Sequence, residues 1–200
     1  MPSQRHSLPE PRTGGEDVVL RAAKESVLDV GLRRTTLADV ARRAGVSRMT
    51  VYRRFGDLSS LVSELLTTEL LGLVQGARTE VEHLPTARER LVGAGVLVVE
   101  RLAAHPLWCR VRDLDPELLL PLVVDRFGSS QRAIVDAVAA QVAEGQADGS
   151  VRPVDPALAA TALLLTAQSF VFSARIVAAQ HPPEATSAEL RRLLDGYLRP

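Results

Sequence analysis

The sequence has little of what most enzymes and metalloproteins are built from. Cys109 is the only cysteine among 200 residues, which excludes an internal disulfide and a cysteine metal cluster. The four histidines are scattered, and none has the spacing of a metal motif such as HExxH. A glycine-rich phosphate loop and a nucleophile elbow are also lacking. We therefore expect no enzymatic activity, no cofactor and no metal, and a small enzyme is kept only as an alternative.

Aromatic residues are scarce as well, and an amino-terminal apolar run is lacking. Aromatics make up 4% of the chain, so the core must be built from leucine, valine and alanine. No apolar run precedes Val18, so no secretory signal is visible. The chain also lacks the several long apolar runs that a membrane protein with multiple spans would have. The cytoplasm is the expected location.

The net charge of zero conceals an uneven distribution. Residues 1–58 carry 11 Lys and Arg against 7 Asp and Glu, whereas residues 59–200 carry 13 against 17. A basic amino-terminal part on an acidic body indicates an anionic partner for the amino-terminal part alone.

The stretch from residue 36 to residue 55 predicts two short helices joined by a sharp turn. Thr36 stands at an N-cap position with Asp39 three residues later, the spacing of a capping box. Gly45 suits the left-handed residue that ends a helix, and Ser47 is placed to cap the next one.

The second of these helices has two contrasting faces. Val51 and Phe55, four residues apart, can anchor it to the first helix. Its other side chains are cations, a hydroxyl, a thioether and a phenol: Arg48, Met49, Thr50, Tyr52, Arg53 and Arg54. Such a row over a tight glycine turn is typical of a helix-turn-helix DNA reader.

The whole chain follows helical periodicity without β-strand alternation, so the predicted fold is all-α. Proline and glycine in residues 1–15 predict a disordered arm. Residues 16–58 are predicted to form a three-helix DNA-binding domain, and a helix over residues 57–76 links it to a second helical domain, residues 77–200.

Individual helices are predicted from the same pattern. The first covers residues 16–30, with Val30 among its inward apolar residues, and Gly145 and Gly149 are expected to break the chain in the body. The helices of the body are predicted over residues 86–104, 106–112, 126–145, 156–179 and 184–198, with a further one opening at Pro116.

An uncharged run of 18 residues, 157–174, stands out in the body. It is shorter than the roughly 20 residues of a membrane span, and an apolar helix without a solvent face is more often buried on both sides. We expect one face in the core and the other against a second subunit, joined there by the last helix. The residues predicted at this interface are Leu158, Ala162, Leu165, Ser169, Ile176, Leu190, Leu193, Leu194 and Tyr197.

The stretch from Thr35 to Leu66 resembles the DNA-binding domain of the TetR family of bacterial regulators. Two positions depart from the family pattern, because Met49 replaces a small residue and Leu58 replaces a lysine that often contacts phosphate. The matching residues are Thr35-Thr36, Val40-Ala41, Ala44-Gly45-Val46-Ser47, Thr50-Val51-Tyr52, Phe55 and Leu61.

The resemblance implies a homodimeric regulator, more commonly a repressor than an activator in this family, that a small molecule releases from a palindromic operator in double-stranded DNA. Its two recognition helices would lie about 34 Å apart, or a multiple of that distance. A DNA-binding protein that needs no ligand is the alternative. The residues carried over as DNA contacts are Thr36, Ser47, Arg48, Met49, Thr50, Tyr52 and Arg53.

Roles within this set follow from chemistry. Thr50 and Tyr52 are expected at phosphates, as are the helix N-termini near Thr36 and Ser47. Arg48 and Arg53 are candidates for guanine edges, with a phosphate contact or free solvation as the alternative.

The resemblance also implies a ligand pocket in the body for an unknown small-molecule effector. Gln168 and Arg175 share a helical stripe with apolar residues, and a buried polar group without a partner is costly. A pocket would serve them, as would an internal partner or a subunit contact. The candidate ligand-binding residues are Trp108, Phe127, Gln168, Phe172 and Arg175.

Overall fold

A computed structural model describes the chain over residues 14–114 and 129–200. Within these residues the structure is helical and contains no β-strand, so the predicted all-α fold is confirmed. The helices are α1 (Gly14–Val30), α2 (Leu37–Ala44), α3 (Arg48–Phe55), α4 (Leu58–Val81), α5 (Ala87–Ala104), α6 (Pro106–Leu114), α7 (Ser129–Ala147), α8 (Pro156–Ala178) and α9 (Pro183–Leu198), with a 3-10 turn at Leu32–Arg34.

Parts of the prediction lie outside the described residues. These are the helix opening at Pro116, the beginning of the helix predicted over residues 126–145, and nearly all of the arm over residues 1–15. The chain forms two compact units, residues 1–67 and 68–200, and α4 begins in the first and ends in the second. The functional boundaries near residues 58 and 76 remain a prediction.

The first unit is held together mainly by buried aliphatic side chains. The prediction that Val30 faces the core is wrong, because Val30 is 36% exposed. The chain turns at Gly31, and Leu32 of the 3-10 turn takes a buried position instead. The fully or almost fully buried residues of this unit include Val19, Ala22, Ala23, Val27, Val40, Ala41, Val51, Leu61 and Leu65.

Two buried hydroxyls close the junction between α1 and the 3-10 turn. Thr35 Oγ1 donates a hydrogen bond of 2.9 Å to the carbonyl oxygen of Gly31, and it lies 3.2 Å from Ser26 Oγ. Both hydroxyls are therefore satisfied away from water, as buried polar groups must be.

Helix α4 begins where predicted and runs further than predicted. Asp57 Oδ1 accepts a 2.7 Å hydrogen bond from the Ser60 amide, which lowers the pKa of Asp57. The predicted end at Gly76 is wrong, since the helix continues to Val81. Ala77 and Val81 are buried in a cluster with Ala94 of α5. This packing outweighs the cost of a helical glycine, about 1 kcal/mol.

Helix α5 is the centre of the second unit, and it packs against α6, α7, α8 and α9. Its start and end are as predicted. Thr86 and Glu89 form a reciprocal capping box, and His105 is the C-cap residue before Pro106. The side chains that α5 buries include Leu91, Val92, Val96, Val99 and Leu102.

Helix α7 contains a glycine that was expected to end it. Gly145 lies inside the helix, so the predicted break there is wrong, whereas the chain does turn at Gly149. A Cβ atom at Gly145 would lie 2.4 Å from Val151 Cγ2. Gly145 is thus required by the close approach of the following loop and not by a helix end.

Asp148 ties this loop to the beginning of α5. Its Oδ2 accepts a 2.9 Å hydrogen bond from the Ala87 amide, and its Oδ1 accepts one of 2.9 Å from the Ser150 amide. These bonds, that of Ala87 first, lower the pKa of Asp148 below its ordinary value.

The variant Gly145→Ala is expected to lower the free energy of unfolding by about 1–3 kcal/mol, because the added methyl group overpacks the contact with Val151. Gly72→Ala, in the part of α4 that belongs to the same unit, is the matched control. Nothing lies within 4 Å of its added Cβ, so it should stabilise by about 0.5–1 kcal/mol. Urea denaturation followed by circular dichroism measures both, and a neutral Gly145→Ala would contradict the packing.

The variant Asp148→Asn is expected to be less stable than wild type at neutral pH, because an amide offers one acceptor oxygen in place of two. Since the folded pKa of Asp148 is lowered, its stabilisation is present above the ordinary Asp pKa of about 4 and is lost as the pH falls through the folded value. Urea denaturation at several pH values should show the difference shrinking below that pH. Asp136→Asn, on the exposed side of α7, controls for the lost charge.

Candidate nucleic-acid interface

The turn between α2 and α3 is built from local hydrogen bonds. Thr36 Oγ1 accepts from the Asp39 amide at 3.1 Å and donates to Asp39 Oδ2 at 2.6 Å. Gly45 adopts φ 69° and ψ 25°, and its amide donates to the carbonyl oxygens of Ala41 and Arg42. Both predictions, the cap and the left-handed glycine, are confirmed.

Helix α3 starts at a cap of the same kind. Ser47 Oγ accepts a hydrogen bond of 3.1 Å from the Thr50 amide, and the two hydroxyl oxygens lie 2.8 Å apart. The Thr50 side chain is therefore held against Ser47, although the residue as a whole is exposed.

Opposite faces of α3 have opposite character. Val51 and Phe55 are 1% and 7% exposed and anchor the helix. Met49 and Tyr52 are 71% and 47% exposed, although both carry large apolar surface. All seven residues predicted as DNA contacts are exposed, and five of them lie on α3. Their contacts with DNA remain a prediction.

The arginines of this unit fall into two groups. Arg42 pairs with Asp39 at 2.9 Å, and Arg43 pairs with Asp29 of α1 at 2.7 Å. The hydrogen bond from the Thr36 hydroxyl, and then that from Arg42, lower the pKa of Asp39. The hydrogen bond to Asp29 raises the pKa of Arg43. Both guanidinium groups already have a carboxylate partner within the chain.

Arg54 belongs to the same paired group. Its Nη2 lies 2.7 Å from Glu64 Oε1 of α4, and its guanidinium carbon lies 4.5 Å from the centre of the Phe55 ring. Arg54 is therefore an intramolecular ion-pair partner and not a free cation. No local signal predicts this pair, because ten residues separate its members.

Arg48 and Arg53 form the second group. Over the described residues, neither has a hydrogen-bond or ion-pair partner. Arg48 lies at the first residue of α3, and Arg53 lies four residues after Met49 on the same exposed face. The helix therefore presents two uncompensated guanidinium groups around an apolar side chain.

The residues predicted to bind a ligand lie in varied surroundings. Trp108 of α6 is 7% exposed, and its Nε1 finds no hydrogen-bond acceptor within the described chain. Gln168 and Phe172 of α8 are half-buried, Arg175 is exposed, and Phe127 lies outside the described residues. The buried position assumed for Arg175 is therefore wrong.

A cavity of about 340 Å³ occurs elsewhere in this unit. It is lined by Gln146, Val151, Pro153 and Val154, and none of the four candidate ligand residues that the structure describes contributes to it. The pocket prediction thus remains a prediction.

The outer face of α8 exposes large apolar side chains. Leu158, Leu165 and Ile176 are 64%, 49% and 65% exposed, as the interface prediction requires. Leu193 of α9 is 53% exposed. Leu190 and Leu194 are 1% and 4% exposed, so their predicted place at a subunit interface is wrong: they fill the contact of α9 with α5.

Helix α8 has the length and mean hydropathy, 1.6, of a membrane span. Within the chain, 17% of its most apolar window is buried. Helices α5 and α6 meet the same criterion only when taken together across a bend of 61°. In the part of the chain that the structure describes, no group of three or more His, Cys, Asp or Glu is placed to hold a metal ion.

Known proteins resemble this chain along most of its length. The family described as bacterial regulatory proteins, tetR family, matches residues 19–65. An uncharacterized HTH-type transcriptional regulator of Mycobacterium bovis is 40% identical over 186 residues, which cover 93% of this chain and 94% of that relative.

Solved structures share the fold. FadR from Bacillus subtilis in complex with stearoyl-CoA has a TM-score of 0.63 at 17% identity, covering 92% of this chain and 99% of that chain. The SmeT–triclosan complex has a TM-score of 0.64 at 16% identity, covering 94% and 93%.

The two groups of arginines are expected to respond differently to truncation. Arg54→Ala should destabilise the amino-terminal unit by about 1 kcal/mol, since it removes a partly buried ion pair and a cation–π contact. Arg53→Ala removes the same charge from the neighbouring position and should change stability by less than about 0.5 kcal/mol. Thermal unfolding measures both, and equal losses would contradict the pairing of Arg54.

Proposed function

The chain belongs to the TetR family of helix-turn-helix transcriptional regulators, and we propose that it is a homodimeric repressor of a palindromic operator that a small molecule releases. The observation that carries the DNA contact is the exposed face of α3. Three nearby arginines are neutralised by carboxylates, whereas Arg48 and Arg53 remain available around Met49 and Tyr52. A polyanion supplies the missing counter-charge.

Roles on this face follow from reach and chemistry. Arg48 and Arg53 read base edges, because a guanidinium fork matches O6 and N7 of guanine in the major groove. Tyr52 and Thr50 hold phosphates. The capped N-termini at Thr36 and Ser47 direct backbone amides at the DNA backbone and fix the register of the helix.

The partner on α8 is proposed to be a second copy of the chain. One side of α8 packs against α5 and α7, while its outer face leaves Leu158, Leu165 and Ile176 uncovered. The hydroxyls of Thr161 and Thr166 donate to carbonyl oxygens one turn earlier in the helix, so they add no unsatisfied donor to that face. A two-fold interface over residues 156–179 and 184–198 would cover these side chains, with Leu193 contributing from α9.

The effector is proposed to be a mostly apolar small molecule. Two structures of the same fold hold stearoyl-CoA and triclosan. In this chain the buried N–H group at Trp108 Nε1 has no hydrogen-bond acceptor among the described residues. Leaving a buried donor unsatisfied lowers stability by about 1–3 kcal/mol. A ligand acceptor would offset that cost. Phe127, Gln168, Phe172 and Arg175 complete the proposed contacts.

Release requires that the ligand prefers one arrangement of the dimer over another. Helix α4 is the proposed connection, because it is continuous from the amino-terminal unit into the other unit. The proposal includes no catalysis and a cytoplasmic location, where a bacterial chromosome lies. A repressor without an effector is the second candidate, and it is distinguished by DNA affinity that no metabolite changes.

Selection of binding sites from a random DNA pool at two salt concentrations tests the proposal. We expect a palindrome whose half-sites are about one helical turn, 34 Å, or a multiple of it apart. Failure to enrich any sequence, with binding that disappears at moderate salt, would leave only non-specific attraction to phosphate and would contradict the proposal.

The variant Arg48→Ala is expected to bind the selected operator about 1–3 kcal/mol more weakly and to lose preference at one base pair in each half-site. Repeating the selection with the variant measures this directly. Arg54→Ala removes the same charge from a paired position and should keep the base preferences. Uniform weakening on all sequences would assign Arg48 to phosphate.

A further inference from the structure

Met49 is the most exposed of the large hydrophobic side chains in the described chain, at 71%. It is the second residue of α3, and the core under this helix is already filled by Val51 and Phe55. Truncating Met49 would therefore uncover little buried surface. An exposed apolar residue needs no explanation in itself, but the position of this one does.

The surroundings of Met49 are polar and point outward with it. Tyr52 and Arg53 follow three and four residues later, so they share its face of the helix. Arg48 precedes it directly without an intramolecular partner among the described residues. The hydroxyl of the next residue, Thr50, is held 2.8 Å from Ser47 Oγ. Met49 is thus the apolar centre of a charged surface.

The major groove offers few features that such a side chain can recognise. The exposed edges of guanine, adenine and cytosine present hydrogen-bond donors and acceptors, whereas thymine adds a C5-methyl group. A thioether is a weak acceptor at most and donates no hydrogen bond. Its flexible and polarizable chain does make favourable apolar contacts in irregular spaces.

We propose that Met49 packs against the C5-methyl group of a thymine in each half-site and so determines a T·A preference there. This inference rests on the proposed function, since it requires α3 to enter the major groove. It adds a specificity element that differs in kind from the arginines, because it reads a base through apolar contact and carries no charge.

The test replaces thymine by deoxyuridine, one position at a time, in the operator obtained by site selection. Deoxyuridine keeps the base pair and every hydrogen-bonding group and removes only the methyl. Wild-type protein is expected to lose about fourfold in affinity per half-site at one thymine position, the equivalent of one buried methyl group at about 0.8 kcal/mol. Fluorescence anisotropy at fixed salt measures each affinity.

Two variants isolate the side chain. Met49→Ala should bind the thymine and deoxyuridine operators equally, whereas Met49→Leu, which keeps the apolar volume, should retain the discrimination. Alanine and leucine are both strong helix formers, and the position is exposed, so thermal unfolding should be unchanged in each variant.

The outcomes separate this inference from the function on which it rests. An operator in which no thymine methyl matters, or in which Met49→Ala retains the discrimination, overturns the role of Met49 and leaves the regulator intact. Failure to select any operator overturns both.

Discussion

The left-handed turn at Gly45 is the constraint on which the DNA-reading surface depends. Its amide closes α2 on two carbonyl oxygens, and only two residues then separate it from the first residue of α3. A side chain in this conformation would be strained, although no neighbouring atom lies within 4 Å of the Cβ position. The turn therefore fixes which face of α3 is buried through Val51 and Phe55 and which face remains open.

What the sequence predicts well in this unit is local. The caps at Thr36 and Ser47, the turn and the buried pair four residues apart each depend on side chains within a few positions of one another. The partition of the arginines is different. Arg43 meets Asp29 and Arg54 meets Glu64 only after α1, α3 and α4 have come together. Sequence alone cannot show which of the five arginines between residues 36 and 55 have partners within the chain, and ion pairing accounts for three of them.

The same distinction explains the errors in the second unit. Gly76 and Gly145 resemble helix stops, yet both lie within helices because distant partners decide the outcome. Ala77 and Val81 pack in a cluster with Ala94, and Gly145 makes room for Val151. Similarly, the apolar side chains of α9 are alike in sequence, but α5 occupies Leu190 and Leu194 and leaves Leu193 exposed. Periodicity identifies an apolar stripe without saying which neighbour covers it.

The two kinds of side chain on α3 should differ in how their contributions to DNA binding depend on salt. Charged contacts of the protein with DNA release counterions and weaken as salt rises, whereas burial of a methyl group against Met49 involves no ion. Total affinity is then expected to fall with salt while the ratio between thymine and deoxyuridine operators stays constant. A regulator that meets a large excess of non-specific DNA benefits from a salt-independent apolar contact of this kind, because non-specific DNA binds it mainly through charge. An apolar residue at the centre of a basic face is thus consistent with a reader whose discrimination must survive the ionic strength of a cell.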